Sequence, residues 1–214
     1  MSGPSSQYFA RVPTVASDEG STRLALGDLE LTLTTDRGVF SHGRIDVGTR
    51  LLLQEAPGPE PSMDAVCDLG CGYGAIAVTL ARRSPATAVW AVDTNARAVA
   101  LAARNAAANA TEVHAVVVDE AGRAVDGTID DVAAIDSVRF DGIWSNPPIR
   151  IGKTALHSML TIWLDRLTPT GRAWLVVQRH LGADSLQRWL EQQGWASERL
   201  CSRAGYRVLE VRAR

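Results

Sequence analysis

Val66-Cys67-Asp68-Leu69-Gly70-Cys71-Gly72-Tyr73-Gly74 is the stretch on which the fold turns. A short apolar run closing on an aspartate leads into alternating glycines, and an apolar, alanine-rich segment follows. Glycines at a strand-to-helix turn allow positive φ and close approach of a ligand to the backbone. The helix that follows offers N–H groups at its N-terminus. A carboxylate placed ahead of the glycines would oppose a pyrophosphate, the usual guest of a dinucleotide-binding turn. Asp68 suits instead a ligand end that carries an ammonium, such as the amino-acid end of S-adenosylmethionine. The competing reading is a plain glycine turn that packs strand against helix.

Outward from this turn, short apolar runs alternate with helical patterns. Strands are expected at Ala65–Leu69, Ala88–Val92, Val113–Val118, Phe140–Trp144 and Ala173–Val177. Helices are expected at Ala75–Arg83, Ala96–Ala110, Ala155–Leu167 and Ala183–Gln193. Trp195–Leu200 and Arg207–Val211 read as a closing antiparallel pair around Ala204-Gly205. Such alternation predicts a parallel sheet covered on both faces. Ahead of it, Thr22–Thr35 reads as a hairpin around Gly27-Asp28, and Leu51-Leu52-Leu53 as part of a short helix ending before Pro57. Asp119–Arg139 is acidic and weakly patterned, a surface excursion with a helical turn or two.

Two further carboxylates end strands. Asp93 follows Val89-Trp90-Ala91-Val92, where a carboxylate can take both ribose hydroxyls; alternatively it caps the helix near Ala96, as Thr94 or Asn95 could. Asp119 ends the third strand and could accept from an adenine amino group, or simply begin a loop.

Roughly 75 residues beyond the glycines, Phe140–Ser145 runs into Asn146-Pro147-Pro148-Ile149. The prolines fix φ and remove two N–H donors, and Asn146 is pushed toward an extended conformation. The turn is therefore expected to show acceptors without competing donors: the Asn146 side-chain oxygen and the Pro147 carbonyl. Two acceptors gripping the hydrogens of an exocyclic amino group can turn its lone pair toward a methyl donor. The two turns together predict methyl transfer to a planar nitrogen.

The bulk properties set bounds. The chain has 214 residues, 46% hydrophobic, enough for one α/β unit with a full core. The net charge of −2 does not advertise nucleic-acid binding, although a local basic face is permitted. Basic residues are arginines apart from Lys153. Cys67, Cys71 and Cys201 match no zinc spacing, and no metal is expected. No apolar run approaches a membrane span and no signal pattern opens the chain, so a cytoplasmic protein, not bound to membrane, is expected. Met1–Ser6 is expected to be disordered.

These motifs resemble the class I, Rossmann-like methyltransferases, in particular the methyltransferase small domain family, which includes ribosomal RNA guanine-N2 methyltransferases of the RsmC type. The resemblance runs from Tyr8-Phe9 to the C-terminus. It includes Gly38-Val39-Phe40-Ser41, Asp46-Val47-Gly48-Thr49-Arg50-Leu51-Leu52-Leu53, and Asn146-Pro147-Pro148-Ile149-Arg150 with Gly152-Lys153. It implies a seven-stranded, mostly parallel sheet with helices on both faces, a core over residues 61–214, and an N-terminal hairpin extension over 1–60. It implies S-adenosylmethionine as cofactor, held by Asp68, Leu69, Gly70, Cys71, Gly72, Asp93, Thr94, Asp119 and Asn146. Catalysis would fall to Asn146, Pro147, Pro148 and Ile149. Phe40, Arg44, Arg150 and Lys153 would meet substrate, with Arg37 a further candidate for phosphate; each cation could equally be a solvated surface charge, and Phe40 could be core.

The implied acceptor is the N2 of a guanine in ribosomal RNA or the small ribosomal subunit, acted on by a monomer. Alternatives are a protein glutamine N5-methyltransferase, a small-molecule N-methyltransferase, and a non-catalytic RNA-binding factor. Ile149 stands where many amino-methyltransferases carry an aromatic residue that stacks on the base.

Overall fold

A computed structural model describes residues 13–214; Met1–Ser6 and the Tyr8-Phe9 start of the resemblance lie outside the described residues. The chain opens with an antiparallel hairpin, β1 (Gly20–Ala25) and β2 (Glu30–Thr35), which forms its own two-stranded sheet. Helix α1 (Val47–Glu55) follows. Then come β3 (Ala65–Leu69), α2 (Ala75–Arg83), β4 (Ala88–Asp93), α3 (Ala96–Ala108) and β5 (His114–Val118). Next are β6 (Ala124–Asp126), α4 (Ile129–Ala134), β7 (Phe140–Ser145), α5 (Lys153–Leu164) and β8 (Leu167–Gln178). The chain closes with α6 (Ala183–Gln192), β9 (Ser197–Arg203) and β10 (Tyr206–Arg212).

The main sheet has eight strands in the order β6-β5-β4-β3-β7-β8-β10-β9. From β5 to β8 neighbours are parallel; the β6–β5, β8–β10 and β10–β9 pairs are antiparallel. The eighth strand is β6, three residues inside the segment expected as a surface excursion. It is an edge strand and pairs with β5, and so short a pairing leaves no periodic signal in sequence. The β9–β10 turn is Ala204-Gly205, both with positive φ (51° and 81°), between the paired Arg203 and Tyr206. That is the two-residue geometry that matches strand twist.

Alternation along the strands feeds two cores. Val66, Trp144, Trp174 and Val176 face one side, with Leu51–Leu53 of α1, Leu80 of α2 and Leu101 of α3. Cys67, Ile143, Leu175 and Val177 face the other, with Leu156, Leu160 and Trp163 of α5 and Leu186 and Leu190 of α6. The period of two with both faces buried is what a covered parallel sheet requires.

The hairpin is tied down by polar groups as well as by Leu31 and Leu33. Asn105, buried on α3, donates to the carbonyls of Thr34 and Tyr73 and accepts from the Thr34 N–H. One amide thereby joins β2, α3 and the glycine turn. Trp144 and Trp174, stacked 4.4 Å apart, close the core beneath α1.

Candidate functional site

Strand order reverses at β3, whose neighbours β4 and β7 depart to opposite sides. Ligands in open α/β sheets bind beyond the carboxyl ends of the strands at such a switch point. Both sequence motifs lie there. Asp68 of β3 pairs with Trp144 of β7, and the buried Ser145 hydroxyl donates to the Leu69 carbonyl at 2.6 Å. The glycine turn and the Asn-Pro-Pro turn are thereby locked side by side.

They share a cavity of about 1350 Å³. This exceeds the roughly 300–1,000 Å³ typical of single small-molecule sites, so there is room for two ligands. Of the residues singled out from sequence, Phe40, Arg44, Leu69, Gly70, Gly72, Asp93, Thr94, Asp119 and Asn146–Arg150 line it. Asp68, Cys71, Arg37 and Lys153 do not. Arg37 is ion-paired with Asp18, and burial pushes the Cys71 thiol up, so it stays protonated. Phe40 is 45% exposed, which places it at the cavity rather than in the core.

On the glycine side the protein has already engaged most polar groups. The Gly70 and Cys71 N–H groups donate to the Val92 carbonyl, and Gly72 N–H donates to Asp93 Oδ2 at 3.0 Å. These N–H groups of the loop itself are therefore used within the fold. Gly74 has φ +85°, and a Cβ there would lie 2.8 Å from Ala102 Cα, so glycine lets α2 close on α3. A Cβ on Gly72 would meet nothing, and the backbone here is bare toward the cavity.

The carboxylates fall into distinct settings. Asp68 is fully buried beneath the wall; its Oδ2 accepts from Ala77 N–H, and its Oδ1 has no partner among the described residues. Burial pushes its pKa up to about 8, the Ala77 hydrogen bond opposing and Asp93 adding to the rise. Asp93 receives N–H groups from Gly72 and Asn95, and burial raises its pKa also. Asp93 is not the helix cap: Asn95 caps α3, accepting from Arg97 and Ala98, which leaves Asp93 on the cavity wall. Asp119 Oδ1 caps its own turn at Ala121 and Arg123, and its Oδ2 lies 3.6 Å from the Arg123 guanidinium.

The Asn-Pro-Pro turn differs from expectation at one atom. Pro148, at φ −74° and ψ 71°, makes an inverse γ-turn, and Ile149 N–H donates to the Pro147 carbonyl at 2.8 Å. The prolines remove their own donors but bend the chain so that the next one returns. One lone pair of that carbonyl remains.

Asn146 is held by residues that sequence reasoning had not assigned to it. Its amide nitrogen donates to Asp46 Oδ2 at 2.9 Å and to Thr49 Oγ1 at 3.0 Å. An ionised carboxylate accepts only, so the NH₂ end must face Asp46 and the carbonyl end is left as acceptor. Asp46 Oδ2 also accepts from Thr49 N–H, capping α1. The local signal was visible as a helix cap, but its partner lies 100 residues away. Two more wall residues went unremarked: Tyr206, and Gln178, which donates to the Tyr206 hydroxyl at 2.6 Å. Tyr206 brings an aromatic ring to the cavity that the Asn-Pro-Pro turn, with Ile149, lacks.

Arg44 and Arg150 line the cavity and have no ion-pair partner among the described residues. Most other arginines do, for example Arg83 with Asp28, Arg104 with Glu19 and Arg207 with Asp184. Among the described residues no group of three or more His, Cys, Asp or Glu could hold a metal, and no helix is long and apolar enough to cross a membrane.

Residues 30–210 match the family profile described as methyltransferase small domain. The chain is 31% identical over 209 residues to the uncharacterized protein YbxB of Bacillus subtilis, covering 97% of this chain and 98% of that protein. It is 32% identical over 192 residues to the ribosomal RNA small subunit methyltransferase C of Stutzerimonas stutzeri, covering 86% of this chain and 52% of that one. Among solved structures it resembles the T. thermophilus 16S rRNA N2 G1207 methyltransferase (RsmC) in complex with AdoMet and guanosine, with a TM-score of 0.75 and 28% identity over 94% of this chain and 52% of that one. The chain thus spans about half the length of the ribosomal RNA methyltransferases it matches, and nearly all of YbxB. With the sheet order, the two turns and this match in hand, the chain belongs to the methyltransferase small domain family, with the class I fold of S-adenosylmethionine-dependent methyltransferases.

Proposed function

We propose that this protein transfers a methyl group from S-adenosylmethionine to the exocyclic N2 of a guanine in small-subunit ribosomal RNA, in the cytoplasm. The observation that carries the reading is the held amide of Asn146. With its NH₂ engaged by Asp46 and Thr49, its Oδ1 is the free end, next to the remaining lone pair of the Pro147 carbonyl. The relatives that act on ribosomal RNA, and the RsmC complex with guanosine, point to the same acceptor.

The wall fits the cofactor. Asp93 offers a carboxylate to ribose hydroxyls from the end of β4. Asp119 offers one to an amino group, in competition with its own turn. Asp68 sets a buried, half-satisfied carboxyl below Gly70 and Gly72, where a ligand ammonium would complete it. When bound, S-adenosylmethionine would supply an electrophilic methyl for N2, with S-adenosylhomocysteine as the leaving group and water taking the N2 proton.

The chain's own residues orient the amine. Guanine N2 conjugates with the ring and is a poor nucleophile. Asn146 Oδ1 and Pro147 O, each taking one N2 hydrogen, favour a pyramidal nitrogen with its lone pair toward the methyl. Preorganised acceptors of this kind contribute on the order of 3–4 kcal/mol to a barrier. The N2 proton becomes acidic as the bond forms, so positioning replaces a strong base. Ile149 and Tyr206 supply apolar and aromatic surface for a base turned out of its stack. Arg44 and Arg150 supply guanidiniums for flanking phosphates.

The test is transfer of labelled methyl to small ribosomal subunits, protein-free ribosomal RNA and release factors, followed by nucleoside and peptide analysis. Label in N2-methylguanosine is the expected result. Label on a glutamine side chain would move the chain to the protein-modifying branch. Label on none of them would refute the RNA reading.

A further inference from the structure

Resting on guanine as the acceptor, we infer that Asp46 selects it over adenine and cytosine, by taking the guanine N1–H on Oδ1 while Oδ2 holds Asn146. Asp46 precedes α1 with extended backbone (φ −62°, ψ 141°), so its carboxylate is fixed at the helix start. Oδ2 accepts from Thr49 N–H at 3.1 Å and from Asn146 Nδ2 at 2.9 Å. Oδ1 has no partner among the described residues, and Asp46 is half-buried on the cavity wall beside Asn146. The two side chains thus set a second acceptor next to the one that grips the amine.

The bases differ at that place. Beside its amino group guanine carries N1–H, a donor. Adenine beside N6, and cytosine beside N4, carry a ring nitrogen that only accepts. With the amine on Asn146 Oδ1 and Pro147 O, guanine makes a charge-assisted hydrogen bond to Asp46. Adenine and cytosine turn a lone pair against the carboxylate. A glutamine amide has no N–H at the corresponding place and leaves Oδ1 unmet. A site built to take a hydrogen bond rejects ligands that lack the donor more sharply than an apolar pocket rejects a misfit.

The test compares guanosine with 2-aminopurine riboside, which keeps the amine but has no hydrogen on N1. Calorimetric affinities for both are measured on the full chain saturated with S-adenosylhomocysteine, for the wild type and for Asp46→Asn. Asparagine caps helices as well as aspartate. Its carbonyl must take the Oδ2 place, since Thr49 N–H and Asn146 NH₂ both need an acceptor, which turns its own NH₂ to where Oδ1 stood.

The wild type should prefer guanosine by roughly 5- to 100-fold, the range of a good base-edge contact. Asp46→Asn should lose or reverse that preference. A preference unchanged in Asp46→Asn overturns the inference, as does a wild type that binds the two equally. A wild type that does not prefer guanosine to adenosine or cytidine refutes the guanine acceptor as well, so the two failures are distinguishable. Should Asp46→Asn fail to melt cooperatively, the wild-type pair decides, with 1-methylguanosine as a second probe: binding as tight as guanosine overturns the inference.

Discussion

The two sides of the cavity are built by opposite means. On the β3–β4–β5 side the polar groups are engaged locally. Asp93 holds Gly72 and Asn95, Asp119 holds its own turn, and the loop N–H groups go to Val92. On the β7 side the groups that matter are held from far along the chain, with Asn146 fixed by Asp46 and Thr49, and Arg44 and Arg150 without ion pairs among the described residues. A site whose carboxylates also serve the backbone is preformed before any ligand arrives. A site that keeps free acceptors and free cations is one prepared for an exchangeable partner. The account assigns the first to the cofactor and the second to the acceptor base.

Substitutions can break this division, and the largest effect is expected at Asn146. Asn146→Ala removes one of two acceptors on the amine and should lower methyl transfer by about 100- to 1,000-fold, read by label incorporation at saturating cofactor. Asp93→Ala comes next. Loss of charge-assisted hydrogen bonds should weaken cofactor affinity by roughly 10- to 100-fold by calorimetry. Arg44→Ala and Arg150→Ala should each weaken RNA binding several-fold and reduce the slope of log affinity against log salt by about one, if each meets a phosphate. Thr49→Val removes one neutral hydrogen bond to Asn146 and should cost about 2- to 10-fold in kcat, leaving cofactor affinity alone.

A signal of a different kind is expected in stability against pH. Asp68 titrates near 8 in the fold against 3.8 unfolded, so the native state keeps its proton where the unfolded chain has lost it. Ligand-free stability contributed by this group therefore falls as pH rises from about 4 to about 8 and is flat above. Asp68→Asn, which keeps an acceptor for Ala77 N–H, should flatten that part of the profile in denaturant titrations at pH 5 and pH 8. An unchanged profile would show that Asp68 does not titrate in this window.

The difference between the sides also explains what the sequence disclosed. β3 and α2 have the bounds read from their pattern, because a buried parallel strand, a glycine turn and an apolar helix announce themselves within ten residues. The sheet of seven became eight because β6 is too short to show a period. Helix α1 starts at Val47, earlier than the leucines suggest, since its signal is the Asp46 cap rather than apolar spacing. The Pro147 carbonyl was read as free because the prolines lack donors, whereas the γ-turn at Pro148 brings Ile149 N–H back to it. The resemblance marked the Asp46–Leu53 segment, but the hold of Asp46 and Thr49 on Asn146, and the places of Gln178 and Tyr206, were out of reach for one reason: these links are made across 97 to 100 residues or across the β8–β10 pair. No local pattern records such contacts.

The division is tested most directly by measuring cofactor affinity and methyl transfer side by side in Asn146→Ala and Asp93→Ala. The account predicts that Asn146→Ala binds S-adenosylmethionine within a few-fold of wild type yet transfers little, while Asp93→Ala binds weakly and regains transfer as cofactor is raised. Loss of binding and transfer together in both variants, or an Asn146→Ala protein as active as its parent, would contradict it.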